Sequence, residues 1–245
     1  MLYSGPMELS IVIPAFNERD KIARDIEAAS EFLIARGLVG EIIVVDDGST
    51  DGTAEQAENA PVPDGVDRKV MRYETNRGKG YAVWSGMLEA CGTYTMFADS
   101  GHCVPFDNAL RGLELLRAGR CDIAHGSRRL PESVIVRPKQ LYRRIISGAF
   151  RRAIPILAGT PRSLSDTQCG FKMYRGTVAW ELYSQCLCHG FLFDVEVILR
   201  AVAAGYRIRE FPVEWRSDPD SRLHAARSIP KLLRELLAIR RALRK

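Results

Sequence analysis

Two short stretches decide the fold of this chain, SIVIPAFNE at residues 10–18 and IIVVDDGSTD at residues 42–51. Each is an apolar run that ends in acidic, amide and small polar residues, as expected of a buried strand followed by a polar loop. If the strands are parallel, their acidic ends lie side by side at the carboxyl edge of the sheet, where open α/β sheets bind ligands. Acidic groups there suit the hydroxyls and amides of a nucleoside, or a divalent cation that carries a phosphate.

The rest of the chain predicts an α/β fold with a mostly parallel sheet, because short apolar runs alternate with helical patterns. The predicted strands are residues 9–13, 41–45, 69–73, 95–98, 122–125 and 206–213. The predicted helices are residues 20–36, 53–60, 81–91, 106–118, 139–157 and 195–204. Residues 130–138 are predicted to form a loop. No G-x-G-x-x-G follows the first strand, which disfavours a dinucleotide-binding Rossmann site.

The composition fits one large α/β domain, or one domain with an added C-terminal element. The chain has 245 residues, of which 46% are hydrophobic, so it can bury a substantial core. No apolar run approaches the roughly 18 residues of a spanning helix, and we expect no signal peptide. The six cysteines lack the paired spacing of a zinc site. They are expected to be free thiols in a reducing cytosol, which predicts a cytoplasmic protein.

The net charge of +5 is modest, but basic residues crowd residues 128–152 and 227–245. This distribution predicts anionic partners such as phosphates or acidic lipid headgroups. No nucleic-acid partner is expected, because neither interleaved aromatics nor a known reading module accompanies the basic residues. Residues 228–245 have the pattern of a basic amphipathic helix. Such a helix fits a peripheral membrane contact, and it fits equally well a helix that packs its leucines on the domain.

The two opening stretches resemble the start of a family 2 glycosyltransferase with the GT-A fold. Four further motifs resemble those of dolichyl-phosphate glucosyl- and mannosyltransferases: NRGKG at residues 76–80, DTQCGFK at 166–172, FDVE at 193–196 and VEW at 213–215. The resemblance implies a GT-A domain at residues 1–223, with a nucleotide-sugar half at 9–126 and an acceptor half at 127–223. The basic amphipathic helix then occupies residues 224–245.

The resemblance also implies roles for individual residues. Those expected to bind the nucleotide sugar are Pro14, Ala15, Glu18, Asp47, Lys79 and Asp99. Those expected to bind the acceptor phosphate are Arg128, Arg143 and Ser147, the last two being four residues apart and so on one helix face. Asp166 and Asp194 either orient the sugar hydroxyls or only fix the loop. The expected catalytic group is Asp99, Arg128 and Gln168.

The metal site implied by the resemblance is incomplete in this chain. The family carries an Asp-x-Asp motif after the fourth strand, and here the motif reads Asp99-Ser100-Gly101. Asp99 alone is therefore expected to hold Mg²⁺ or Mn²⁺, with waters and the donor diphosphate as the other ligands. The alternative is a weakly metal-dependent or inactive homologue.

The reaction implied by the resemblance needs no general base. A phosphate monoester has a second pKa of about 6 and is largely dianionic at neutral pH. It can attack the anomeric carbon directly, so the absence of a visible Ser/His/Asp triad is consistent with the chemistry. We expect an inverting transfer of a hexose, glucose by preference, from a UDP- or GDP-sugar to a polyprenyl phosphate at the cytosolic face of a membrane. Two alternatives remain open: a soluble sugar or glycan acceptor, and a non-catalytic binding protein.

Overall fold

The computed structural model describes residues 6–137, 159–161, 163–190, 192–217 and 229–242. The strands are β1 (Leu9–Ala15), β2 (Gly40–Asp46), β3 (Val66–Arg72), β4 (Tyr94–Ala98), β5 (Ile123–Ser127), β6 (Val134–Arg137), β7 (Phe171–Arg175), β8 (Ile208–Pro212) and β9 (Glu214–Arg216). The helices are α1 (Arg19–Ala35), α2 (Thr53–Asn59), α3 (Lys79–Glu89), α4 (Ala109–Arg117), α5 (Gly176–Ser184), α6 (Phe193–Ala203) and α7 (Ile229–Ala242). Seven strands form one sheet in the order β3-β2-β1-β4-β7-β5-β8, and β6 pairs with β9.

The strands β1 and β2 are buried along their whole length, which explains their continuous apolar sequences. They pair in parallel from Leu9 opposite Gly40 to Ala15 opposite Asp46. Successive side chains of β1 enter opposite cores: Ile11 packs in the core that includes α1, and Val12 packs in the core that includes α3. The stretches at residues 10–18 and 42–51 therefore contain adjacent central strands, and their polar ends share one sheet edge.

The predicted fold class is confirmed. The six predicted strands correspond to β1 to β5 and β8, with ends displaced by three residues or fewer. The pairs β1–β2, β1–β4, β2–β3 and β5–β8 are parallel, so the sheet is mostly parallel as expected. The predicted helices before residue 126, and the one at residues 195–204, correspond to α1 to α4 and α6.

Several parts of the fold differ from the prediction, which contains no strand at β7 or β9 and no helix at α5. The strand β7 was not predicted, and it runs antiparallel between β4 and β5. Its sequence includes Lys172, so it shows neither a continuous apolar run nor a regular alternation, and its partners lie far away in sequence. The predicted loop at residues 130–138 is wrong, because β6 forms there by pairing with the distant β9. The helix predicted at residues 139–157 lies outside the described residues.

The helix α7 packs part of its apolar face on the domain. Leu236 and Ile239 are buried in a cluster with Cys188, Leu192 and Val195. Leu237, in contrast, is 55% exposed. Among the described residues, no helix is long and apolar enough to cross a membrane. Of the two roles predicted for the C-terminal helix, packing on the domain is therefore observed for two of its apolar side chains, Leu236 and Ile239.

Close packing of α3 on the sheet yields a test of the fold. A Cβ at Gly86 would overlap the side chain of Val12 and lie 2.9 Å from Val45 Cγ2. Gly86→Ala is expected to lower the free energy of unfolding by about 1–2 kcal/mol in urea titrations, since overpacking outweighs the better helix propensity of alanine. In a Val12→Ala background, where the overlapping side chain is shortened, Gly86→Ala should lower the free energy of unfolding by clearly less. An equal cost in both backgrounds would contradict the contact as its cause.

Candidate active site

Hydrogen bonds join the ends of β1 and β2 into one polar surface. The backbone N–H of Asn17 donates to Ser49 Oγ at 2.7 Å, and the N–H of Thr50 donates to Asn17 Oδ1 at 2.9 Å. Asn17 adopts a left-handed conformation with φ +52°, which asparagine tolerates better than most residues. Pro14 and Ala15, both predicted donor-site residues, lie in the last part of β1. The predicted juxtaposition of the two strand ends is therefore present.

Asp47 holds the turn that contains the NRGKG motif. Its two carboxylate oxygens accept the backbone N–H groups of Arg77 and Gly78, each at 2.8 Å. Burial raises the pKa of Asp47, and these two hydrogen bonds only partly oppose that shift. Gly48 leaves no room for a side chain, since a Cβ there would lie 2.6 Å from Asn76 N. Asp47 thus positions the basic turn, whereas Glu18 pairs with Lys21 at 3.2 Å.

Lys79 and Asp99 meet at this edge of the sheet. Lys79 is the first residue of α3 and Asp99 follows β4, and their Nζ and Oδ1 atoms are 2.6 Å apart. Both side chains are about one third exposed, at 31% and 34%. Burial alone would lower the pKa of Lys79, but the nearby carboxylates of Asp99 and Asp194 outweigh it and raise that pKa. The ammonium is therefore charged at neutral pH.

The backbone around this pair is closely packed. A Cβ at Gly170 would collide with the carboxylate of Asp99, whose N–H donates to Gly170 O at 2.9 Å. Beside Lys79, a Cβ at Gly80 would lie 2.5 Å from Gly190 O. Glycines of the NRGKG and DTQCGFK motifs are thus required by close approach of the chain at the Lys79–Asp99 pair.

The donor set beside Asp99 does not fit the two-carboxylate metal site that the resemblance implies. Gly101 occupies the second position, and its N–H donates to Asp25 Oδ2 at 2.7 Å. Asp99 faces the ammonium of Lys79. Within the described part of the chain, no group of three His, Cys, Asp or Glu side chains comes together that could hold a metal ion. These residues do not by themselves form a metal site, so binding of Mg²⁺ or Mn²⁺ at Asp99 stays a prediction.

Arg128 and Asp166 form a buried bidentate ion pair. The Nε and Nη2 atoms of Arg128 donate to the two oxygens of Asp166 at 2.6 and 2.8 Å. Burial alone would raise the pKa of Asp166, but Arg128 holds it well below its usual value. Glu210 fixes the same loop by accepting the backbone N–H groups of Ser165 and Asp166, each at 2.8 Å. The predicted phosphate-binding arginine and one predicted sugar-binding carboxylate are therefore partners.

The second predicted sugar-binding carboxylate, Asp194, lies in the interior. Lys172 Nζ is 2.7 Å from both Asp194 Oδ1 and the carbonyl oxygen of Cys169. Asp194 is 4% exposed and Lys172 is fully buried. This pair ties α6 to β7 and to the loop that contains the half-buried Gln168. Of the remaining predicted residues, Arg143 and Ser147 lie outside the described residues.

Sequence reasoning missed two carboxylates that support the site. Asp25 in α1 is buried beneath Gly101, and burial raises its pKa to about 7. The sequence contains a signal for the burial of Asp25, because it follows Ile22 by three residues and so shares its buried helix face. Glu235 in α7 accepts the N–H of Leu192 at 3.2 Å. No local pattern identifies Glu235, since its partner is distant in sequence.

An α/β sheet whose carboxyl edge gathers carboxylates, a basic turn and a buried arginine defines a GT-A type of nucleotide-sugar site. The chain belongs to glycosyl transferase family 2, whose family profile matches residues 10–183. The resemblance drawn from the motifs is therefore confirmed.

Curated relatives and solved structures agree with this family. The chain is 30% identical over 250 residues to the dolichyl-phosphate beta-glucosyltransferase of Saccharomyces cerevisiae, covering 96% of this chain and 74% of the relative. The Drosophila melanogaster protein of the same name is 32% identical over 249 residues, with 96% and 75% covered. A structure of glucosyl-3-phosphoglycerate synthase from Mycobacterium tuberculosis, in complex with Mn²⁺, UDP and glucosyl-3-phosphoglycerate, has a TM-score of 0.69. That match is 18% identical, spans 96% of this chain and 80% of the neighbour, and supports the fold.

The raised pKa of Asp25 predicts a pH-dependent stability. Its pKa rises from 3.8 to about 7 on folding, so the folded protein retains a proton that the unfolded chain loses. Folding stability contributed by this group is present at low pH and is lost as the pH rises from about 4 to about 7. Asp25→Asn removes the titration. The free energy of unfolding of the wild type should fall relative to this variant across that window, by up to about 4 kcal/mol. Parallel pH profiles in urea unfolding would contradict the assignment.

Proposed function

We propose that this chain transfers a hexose, glucose by preference, from a UDP- or GDP-sugar to a polyprenyl phosphate. The observation that carries the proposal is the combination of two features at one sheet edge. The Lys79–Asp99 pair lies beside the basic turn held by Asp47, and the Arg128–Asp166 pair lies in the DTQCGFK loop. The two dolichyl-phosphate beta-glucosyltransferases, at 30% and 32% identity, support the sugar and the class of acceptor.

The proposed reaction is a single displacement at the anomeric carbon. A dianionic phosphate oxygen of the acceptor forms a bond to that carbon as the bond to the donor diphosphate breaks, and the nucleoside diphosphate leaves. No proton has to be removed from the nucleophile, so the protein contributes orientation and charge stabilisation. Attack opposite to the leaving group inverts the centre, so an α-linked nucleotide sugar gives a β-linked lipid phosphate sugar.

Each side of the site has its proposed ligands. Glu18, Asp47 and the end of β1 contribute to the nucleoside pocket, and Lys79 faces the departing diphosphate. On the acceptor side, Asp166 engages Nε and Nη2 of Arg128, which directs the phosphate to Nη1. Arg143 and Ser147 complete this side in the proposal. The Mg²⁺ or Mn²⁺ predicted at Asp99 enters no step, because the donor set there does not fit it.

The acceptor side is tested by kinetics of Arg143→Ala. Removing a bidentate phosphate ligand should raise KM for a short-chain polyprenyl phosphate by about tenfold or more, with KM for the nucleotide sugar unchanged. Nucleotide release reports turnover, and NMR of the product reports the β anomer. Arg120→Ala, which changes an exposed arginine in the turn between α4 and β5, is the control.

Three outcomes would contradict the proposal. If Arg143→Ala loses activity with soluble sugar acceptors but keeps its activity with the lipid phosphate, a glycan acceptor would be favoured. Retention of the α anomer would exclude single displacement. Tight donor binding without turnover of any common nucleotide sugar would identify a non-catalytic binding protein.

We also propose that the protein acts as a peripheral protein on an anionic, cytosolic membrane face. The C-terminal stretch is basic, and in α7 the apolar Leu236 and Ile239 are engaged by the domain. Membrane contact therefore depends on charge more than on inserted leucines.

Vesicle sedimentation tests this mode of binding. The chain should bind vesicles that contain phosphatidylglycerol, fail to bind pure phosphatidylcholine, and dissociate as salt rises above about 0.5 M. Binding that is insensitive to salt and to lipid charge would indicate insertion of apolar side chains instead.

A further inference from the structure

The loop after β4 is surrounded by carboxylates that are already engaged. Asp25, in α1, accepts the N–H of Gly101 at 2.7 Å. Asp194 is bound to the buried ammonium of Lys172 at 2.7 Å. Asp99 is the carboxylate of this group that contacts Lys79, a cation supplied by the chain itself.

We propose that the ammonium of Lys79 takes the place of a divalent ion at the donor diphosphate, so that donor binding requires no metal. This inference rests on the proposed nucleotide-sugar function and concerns the same site. It follows from two linked features: the second carboxylate of the metal motif is replaced by Gly101, and Lys79 Nζ lies 2.6 Å from the remaining carboxylate of Asp99.

Hydrogen bonds fix the backbone on both sides of Lys79. Asp47 binds the N–H groups of Arg77 and Gly78, which fixes the backbone immediately before Lys79. After it, Tyr81 N donates to His189 O at 3.2 Å. With the backbone fixed and Nζ held 2.6 Å from Asp99 Oδ1, the Lys79 cation is in place before any ligand arrives. A charge that is already in place stabilises a leaving group effectively.

The chemistry of an ammonium suits this position. It carries three N–H donors, and a single contact with Asp99 leaves the others for diphosphate oxygens. The N-terminus of α3, which begins at Lys79 and runs for 11 residues, adds positive electrostatic potential at the same point. A divalent ion at Asp99 would have to displace the ammonium from its 2.6 Å contact and would gain only one protein carboxylate.

The local charges are consistent with this arrangement. Asp99 and Lys79 form one carboxylate–ammonium pair, which is neutral before the diphosphate binds. Gly101 removes the second negative charge that a divalent ion would otherwise offset.

Calorimetric titration of the full chain with UDP, GDP and uridine tests the inference. Each titration is made once with EDTA and once with excess MgCl₂ or MnCl₂. We expect the affinity for the preferred nucleoside diphosphate to change by less than about threefold between the two conditions. Lys79→Ala should weaken diphosphate binding by about tenfold or more in both conditions, while uridine binding changes little.

The control is Lys69→Ala, which removes an exposed lysine of β3 paired with Glu89, and it should leave both affinities unchanged. A rise of tenfold or more on adding metal to the wild type would overturn the inference and leave the proposed transfer intact. A Lys79→Ala variant with wild-type diphosphate affinity in EDTA would overturn it as well. Failure of both nucleoside diphosphates to bind under every condition would overturn the proposed function, and the inference with it.

Discussion

The contact between the Lys79 ammonium and the Asp99 carboxylate, at 2.6 Å, is the interaction on which the candidate site depends. It joins the start of α3 to the end of β4, and it lies between the polar ends of β1 and β2 and the Arg128–Asp166 pair. Gly170 is dictated by its close approach to the Asp99 carboxylate, and Gly80 by its close approach to the backbone of His189 and Gly190. A sheet edge that gathers carboxylates would repel a diphosphate, and this cation makes the edge suitable for one.

Several carboxylates at this edge of the sheet accept hydrogen bonds from backbone N–H groups. Asp47 and Glu210 each accept two backbone N–H groups, and Asp25 accepts the N–H of Gly101. These hydrogen bonds hold irregular loops in place, and a buried backbone N–H that lacks a partner is costly. Glu235 extends the same principle to α7, which it joins to the segment that contacts Gly80. The loops at this edge are therefore supported by carboxylates, among them Asp25, Glu210 and Glu235, whose hydrogen bonds are made to the backbone.

The sequence predicted the central strands and the meeting of their polar ends, because apolar runs and the order of strands and helices are local signals. It could not predict β7, since a strand containing Lys172 is stabilised by distant Asp194 and by neighbours far away in sequence. The motifs indicated Asp47, Lys79, Arg128 and Asp166 as site residues without indicating their partners. Pairings such as Arg128 with Asp166 depend on which loops the sheet brings together, and only the three-dimensional structure reveals them.

In the proposed donor site a lysine occupies the place of a metal ion. Crystals of the chain grown with UDP and MnCl₂, and measured at the manganese absorption edge, test it most directly. We expect Lys79 Nζ within hydrogen-bond distance of both Asp99 and a diphosphate oxygen, with no anomalous peak bonded to Asp99. A manganese peak on Asp99 and UDP, with Lys79 turned away from both, would contradict it.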